Sequence, residues 1–362
     1  MKIPIEDIAP GQSVDTTFWV NPMSESEYRF RATHLDGRRA PKIILCNDPR
    51  IVPGVPCRAR ITSISKPGRD DRGSIIVEFV RLLEFRLDGI HLAPEISRKL
   101  QVLLEAGLNI LLDGPQGCGK SVTAKSIAET LGMQFVFFNC GAVIEATDFL
   151  ATIQVRASEQ GTPVTDFVKT DVLLALEQAV ENPDNRYLIF LDELNRCPEP
   201  ARNALMPALD TSRKLFHPIE NRFLEIGDNV QFIAAVNQGD EFSATFGIDA
   251  AQLDRFAPLQ MDYLPVAEEV KLLTSRHPEL SKSLIEKLVK IADAVRKSTE
   301  ISGGLSVRAT EEACVYLKHP LYSEMPIKHL PEVLKSSFCG RFPGRWNDVT
   351  TDAGAVWAMI DK

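Results

Sequence analysis

The sequence predicts an α/β fold: a parallel five-stranded sheet core covered by helices, preceded by a small all-β barrel and followed by a helical lid. Three observations carry that reading. Between residues 109 and 263, apolar runs of strand length alternate with helical patterns, the mark of a parallel sheet. Residues 1 to about 88 alternate like short strands broken by turn signals, and beyond Pro265 the apolar spacing becomes helical. Domains are therefore expected at 1–90, 91–264 and 265–362.

In the first domain, strands are expected at 12–20, 28–33, 42–45, 57–65 and 74–79. Asn21-Pro22, Asp36-Gly37, Pro53-Gly54 and Pro67-Gly68 supply the turns between them. Five such strands make a small barrel. The order of its pieces, IEDIAPGQSVDTTFWV and then IVPGVPCRARITSI, resembles OB-fold domains, in which a Pro-Gly turn precedes the fourth strand. A linking helix follows at 93–106.

The core opens with the apolar run NILL and then GPQGCGKS, residues 114–121. This is the pattern of a polyphosphate-binding loop. Glycines let backbone N–H groups converge on the phosphates, the Lys reaches the outer ones and the hydroxyl binds Mg²⁺. Gly114, Pro115, Gln116, Gly117, Cys118, Gly119, Lys120, Ser121 and Val122 are thus candidate contacts for ATP, and Ser121 is a candidate Mg²⁺ ligand. The competing reading of such a stretch is a surface turn. A preceding strand and a following helix, SVTAKSIAETL at 121–131, favour the loop, because the helix N-terminus adds partial positive charge at the phosphates.

The remaining strands are expected at 134–138, 187–191, 231–236 and 259–263. The third of the five ends in two acids, YLIFLDE at 187–193, where Asp192 would hold Mg²⁺ and Glu193 would orient or deprotonate the attacking water. QFIAAVN, 231–237, ends in Asn237 at the edge where ligands of open α/β sheets bind, although a strand-end Asn is commonly a turn residue. Arg255 in QLDRF and Arg308 in GGLSVR are candidates to stabilise charge on a transferring phosphate, against the usual fate of Arg in a surface ion pair. In the lid, Leu284, Ile285, Leu288, Ile291, Ala292 and Val295 fall on one helix face.

In this order GPQGCGKS, LIFLDELNR, FIAAVNQ, LDRF and GGLSVRAT resemble an AAA+ ATPase of the MoxR type, the group that includes the CbbQ, NorQ and CobS proteins. The resemblance covers about residues 93–315, and DELNR followed by NALMPAL is its most specific part. It implies Walker A at Lys120 and Ser121, Walker B at Asp192 and Glu193, sensor 1 at Asn237, sensor 2 at Arg308, and an arginine finger at Arg255 offered to a neighbouring subunit. Arg196 is a further candidate across that boundary. It also implies a homo-hexamer, an insertion after the second strand (149–170) and a β-hairpin before sensor 1 (214–218 and 223–226). The client implied is a protein, in this family often one with a von Willebrand A domain. An N-terminal barrel departs from the family pattern.

The formal charge of −8 is uneven: residues 1–90 carry 14 Lys and Arg against 12 Asp and Glu, and the rest 27 against 37. Tyr28-Arg-Phe-Arg31 and CRAR at 57–60 raise the alternative of a nucleic-acid motor or loader guided by the barrel. Strand alternation instead puts Tyr28 and Phe30 in a core and Arg29 and Arg31 on a solvated face. A metabolic kinase would not need this order of motifs. The seven cysteines include no C-x-x-C pair, and no two histidines stand at a ligand spacing, so no zinc site or disulfide framework is expected. Cys118 is most simply a tolerated variable position. Trp346 and Trp357 are expected to pack the lid or a subunit contact. No apolar run approaches the roughly 20 residues of a membrane helix, and MKIPIEDIAPGQ lacks a signal-peptide core, so a cytoplasmic protein without membrane partners is expected.

Overall fold

The computed structural model describes residues 8–22, 28–48, 50–51, 53, 55–65, 73–83, 85–87, 89–157, 163–217, 219–237 and 247–360. The alternating N-terminal segment forms β1 (Ser13–Thr17), β2 (Trp19–Val20), β3 (Phe30–Leu35), β4 (Arg38–Cys46), β5 (Pro56–Ile64) and β6 (Ser74–Leu82). The expected first strand is split at Phe18, whose side chain is fully buried. Its halves lie on opposite edges of one sheet, in the order β1-β5-β6-β4-β3-β2. One interrupted strand therefore serves both edges and the sheet curls toward closure. Thr16 Oγ1 donates to His34 O at 2.6 Å, Asp15 N donates to Asp36 Oδ1 and Asp36 N donates to Asp15 O, drawing β1 back onto the β3–β4 hairpin. The sheet is mixed, because β4 and β6 run parallel while the other pairs are antiparallel. The turn expected at Pro67-Gly68, and Gly54 of the turn before β5, lie outside the described residues.

Phe30 is buried as expected, but Arg29 does not stand free in solvent. Its guanidinium bonds the Asp184 carbonyl and lies 3.5 Å from that carboxylate, so it fastens the sheet to the α/β core. Helix α1 (Pro94–Glu105) makes a second attachment: Gln101 Nε2 donates to Leu82 O, and Glu105 accepts from Leu82 N. Leu100, Leu103 and Leu104 of α1 belong to an apolar cluster that runs from Val14 and Phe30 to Leu112, Phe190 and Ile233.

The core follows as β7 (Ile110–Gly114), α2 (Lys120–Thr130), β8 (Gln134–Asn139), β9 (Ala151–Ala157), β10 (Pro163–Lys169), α3 (Asp171–Glu181), β11 (Tyr187–Asp192) and α4 (Glu199–Leu209). It continues with β12 (Lys214–His217), β13 (Arg222–Glu225), β14 (Val230–Asn237), α5 (Ala250–Leu253) and β15 (Ala257–Gln260). Strands β15-β7-β14-β11-β8 form the expected parallel five-stranded sheet, in that order. The last strand begins two residues before its expected position, because Ala257 pairs with Ile110 and the chain leaves the sheet after Gln260. Strands β9–β10 and β12–β13 are antiparallel hairpins where the insertion and the pre-sensor hairpin were expected; Gly161, Thr162 and Pro218 lie outside the described residues.

The lid comprises α6 (Val266–Arg276), α7 (Lys282–Arg296), α8 (Val307–Lys318), α9 (Pro320–Ser323), α10 (Pro326–Ser337) and α11 (Asp352–Ile360) around its own apolar core. Ile291 stays half-buried, and the rest of the expected α7 face is buried. Trp346 and Trp357 meet edge to face at 5.6 Å within this lid, with Lys335 over the Trp346 ring. No helix among the described residues is long and apolar enough to cross a membrane.

Candidate functional site: a phosphate loop under a helical lid

The loop between β7 and α2 owes its shape to its glycines. Gly117 and Gly119 have φ of +73° and +100°, a region that L side chains rarely adopt, and Gly119 starts α2 without a capping side chain. Backbone N–H groups at that helix end are therefore available to an anion. A Cβ on Gly114 would lie 2.4 Å from Met261 O, and one on Gly117 would lie 2.3 Å from Ser306 Cβ. The loop is thus pressed between the end of the sheet and the lid helix α8.

Lys120 is 7% exposed, and its Nζ donates to Gly114 O at 2.8 Å and Pro115 O at 2.9 Å. Burial pushes this ammonium below its ordinary range, although Cys118, Asp192, Asp113 and Glu193 partly oppose the shift. A buried cation partnered by two neutral carbonyls and the Cys118 sulfur, with no carboxylate at hydrogen-bond distance among the described residues, fits a polyphosphate well. Ser121 Oγ lies 3.2 Å from Asp192 Oδ2, so hydroxyl and carboxylate present adjacent oxygen ligands of the kind Mg²⁺ takes. Val122 is exposed on the first turn of α2. Burial raises the Cys118 thiol despite the neighbouring Lys120, which disfavours the reactive thiolate.

Glu193 follows Asp192 with φ of 54°, and its Oε2 is 3.2 Å from Arg196 Nη1. Asn237 ends β14 opposite Gly114 of β7, beside the loop. Asn195 Nδ2 donates to Asn237 O at 3.1 Å, tying the turn after β11 to the end of β14. Arg308 is exposed in the first turn of α8, two residues beyond Ser306, and its guanidinium has no ion pair or hydrogen bond among the described residues.

Arg255 is not brought to its own loop. Asn109 Nδ2 bonds Arg255 O at the N-terminal end of β7, the opposite end from Gly114. Arg255 Nη1 donates to Ala251 O, and Nη2 lies 3.9 Å from Asp210 Oδ2. A five-residue strand separates this guanidinium's backbone from the loop, a distance of about 16 Å.

Sequence reasoning missed three supports. Tyr263 Oη donates to Gln116 O at 3.3 Å, Ser306 abuts Gly117, and Arg296 lies over the Tyr263 ring at 4.7 Å. Arg296 also pairs with fully buried Glu269, which accepts from Thr310 Oγ1 at 2.6 Å. Ser306 lay within the GGLSVR stretch; Tyr263 and Glu269 carried no local signal.

Glu177, His217 and Glu220 also gather at the turn end of the β12–β13 hairpin. His217 Nδ1 accepts the Glu220 N–H at 3.1 Å, so its proton sits on Nε2, 3.0 Å from Glu177. A metal at Nε2 would require the proton on Nδ1, where a donor already points. Lys169 occupies both Glu177 oxygens, at 2.7 and 2.9 Å, so the cluster is a clasp holding the hairpin to α3.

Residues 109–256 match the AAA domain family, dynein-related subfamily. An uncharacterised protein of Staphylococcus saprophyticus is 26% identical over 229 residues, 63% of this chain and 83% of that protein. A Thauera aromatica protein named "Putative chaperone BssE" is 29% identical over 216 residues, 59% of this chain and 71% of that one. Among solved structures, a mutant form of Thermotoga maritima RuvB is similar at 17% identity and a TM-score of 0.46, covering 71% of this chain and 73% of its own.

Proposed function

We propose that this chain is a MoxR-type AAA+ ATPase that couples ATP hydrolysis to remodelling or activating a partner protein. One observation carries the reading: Ser121 and Asp192 converge at 3.2 Å beside a buried Lys120 at the carboxyl edge of the sheet. Lys120 and the α2 N-terminus bind the phosphates, Ser121 and Asp192 hold Mg²⁺, and Asn237 with Glu193 orients and deprotonates the attacking water. Mg²⁺ supplies charge neutralisation on the phosphate oxygens. Arg308 approaches from the lid, which rests on the loop directly through Ser306 and, through Arg296, on the Tyr263 ring that contacts Gln116.

Arg255 belongs to the sheet edge opposite its own loop, which supports a finger that acts on a neighbouring subunit. The assembly is then a closed homo-hexamer with heterologous contacts. The chaperone-like relative supports a protein client; a von Willebrand A domain is the kind of client the family resemblance favours. The N-terminal sheet is an OB-like barrel that docks this client, and the domains divide at 1–90, 91–264 and 265–362.

A mixing experiment tests the ring. Lys120→Ala and Arg255→Ala proteins are each inactive alone and regain hydrolysis when combined, because the mixture restores sites with an intact loop and an intact neighbouring arginine. Failure to complement, with mixed assembly demonstrated, contradicts the role of Arg255. A second reading, nucleic-acid binding by the barrel, is favoured by Trp19, 61% exposed and cross-strand from Arg31. A salt-sensitive shift of single-stranded DNA, lost in Trp19→Ala and Arg31→Ala, would establish it.

A further inference from the structure

We propose that His277 makes the lid sensitive to acid: as a neutral ring it completes the packing of α6 on α8, and as a cation it parts the two helices and loosens the lid on the phosphate loop. His277 stands at the end of α6, where its N–H donates to Leu273 O at 2.8 Å and its carbonyl accepts from Leu280 N at 3.1 Å. The residue is 4% exposed, and neither ring nitrogen has a hydrogen-bond partner among the described residues. Thr274 Oγ1, about one turn back along α6, is likewise buried and unpartnered. The buried His217 differs, because Glu177 and the Glu220 N–H engage both of its nitrogens.

A second ring N–H and its charge find no acceptor here. Arg276 of α6 occupies both oxygens of Glu311 of α8, at 2.9 and 3.0 Å, and Lys318 of α8 lies 3.5 Å from Glu279 in the turn after α6. Both carboxylates near His277 are thus already engaged by cations. Cys314, between Glu311 and Lys318 on α8, is buried, and burial pushes its thiol up to about 12, so it stays neutral. Burial first, and then Lys318 with a smaller effect of Arg276, hold the His277 ring below its ordinary value, while Glu311 and Glu279 oppose the shift. The unfolded lid therefore takes up this proton at about pH 6.5 and the folded lid only at lower pH. Stability is whole above about pH 6.5 and is lost as the pH falls beneath it. The same two helices carry the lid's contacts with the loop. Ser306, which precedes α8, abuts Gly117, and Glu269 of α6 bonds both Thr310 of α8 and Arg296, which lies over the ring of Tyr263, the partner of Gln116. Parting α6 from α8 disturbs both contacts.

The test unfolds wild type, His277→Gln and His277→Leu in urea at about pH 7.5 and about pH 5.5, either side of the ordinary histidine value. All three carry Trp19→Phe, so fluorescence reports Trp346 and Trp357 of the lid. Between the two pH values the lid unfolding constant of wild type should rise about three- to tenfold more than that of either variant. His319 and His329 of the lid, and His91 beside Glu268, are present in all three proteins and cancel in the comparison. Equal rises in wild type and in whichever variant folds overturn the proposal, as does a wild-type constant that does not rise. ATP affinity, titrated at the same two values, should weaken about two- to tenfold more in wild type than in the variants; an equal loss overturns the coupling to the loop. That arm alone rests on the ATP-binding reading above. A chain that binds no ATP at either pH overturns that reading, and the unfolding constants still decide the role of His277.

Discussion

Replacing Glu269 by Gln should unfasten the lid from the nucleotide site. Glu269 is fully buried in α6 and accepts from Arg296 Nη1 at 2.5 Å, Arg296 Nη2 at 3.2 Å and Thr310 Oγ1 at 2.6 Å, while the Arg296 side chain is only 5% exposed. Removing the carboxylate charge leaves a buried guanidinium uncompensated, a loss of about 3–5 kcal/mol when one partner of a buried pair is deleted. Gln keeps the shape and one acceptor, which puts its cost near the lower end, about 3 kcal/mol. With a urea dependence of about 1–3 kcal/mol/M, the unfolding midpoint should fall by about 1–3 M. Tryptophan fluorescence isolates the event, because Trp346 and Trp357 lie in the lid and a Trp19→Phe background silences the N-terminal sheet. ATP affinity should weaken as well, since Arg296 stacks on the Tyr263 ring that contacts Gln116. A lid midpoint unchanged within about 0.3 M would refute the idea that this pair holds the lid together.

Gly117→Ala must accommodate both a φ of +73° and a Cβ placed 2.3 Å from Ser306 Cβ. Nucleotide affinity should drop at least tenfold in a titration, the backbone strain alone contributing about 1 kcal/mol, and Ser306→Gly should restore part of it. The absence of any rescue would show that the loop and lid do not meet there. The Asp15 carboxyl is held below its ordinary value chiefly by the hydrogen bonds from Arg58, against a smaller opposing effect of burial. Because the folded value lies below the unfolded one, this pair stabilises the N-terminal sheet above the usual carboxylate range, and the contribution is lost as the pH falls through the depressed value. Both side chains are more than a third exposed, so the effect is under about 1 kcal/mol. Arg58→Gln should lower the urea midpoint at about pH 6 and match wild type at about pH 2; an equal gap at both would exclude the pair as its cause.

Periodicity made the core legible. Apolar runs such as YLIFL belong to strands covered on both faces, and their C-terminal residues, Asp192 and Asn237, fall at the edge where the phosphate loop emerges. Strand alternation likewise revealed the N-terminal sheet, but the placing of β1 and β2 on its two opposite edges follows from the interruption at Phe18, and an interruption has no periodic signature. The supports of the site were hidden for another reason. Glu269, Arg296 and Thr310 come from three helices, and Tyr263 reaches a loop 147 positions earlier. No local pattern records such a meeting. Arg29 was misjudged because alternation tells which face a residue occupies and says nothing of Asp184, 155 positions away, that waits on that face.

The most direct test of the central claim is ATP hydrolysis measured against protein concentration, for wild type, Lys120→Ala and Glu193→Gln, with and without single-stranded DNA. The account predicts activity that rises as subunits assemble, is lost in both variants and is indifferent to DNA. Hydrolysis that survives Lys120→Ala, or a rate per subunit that stays constant from monomer to assembly, would contradict it.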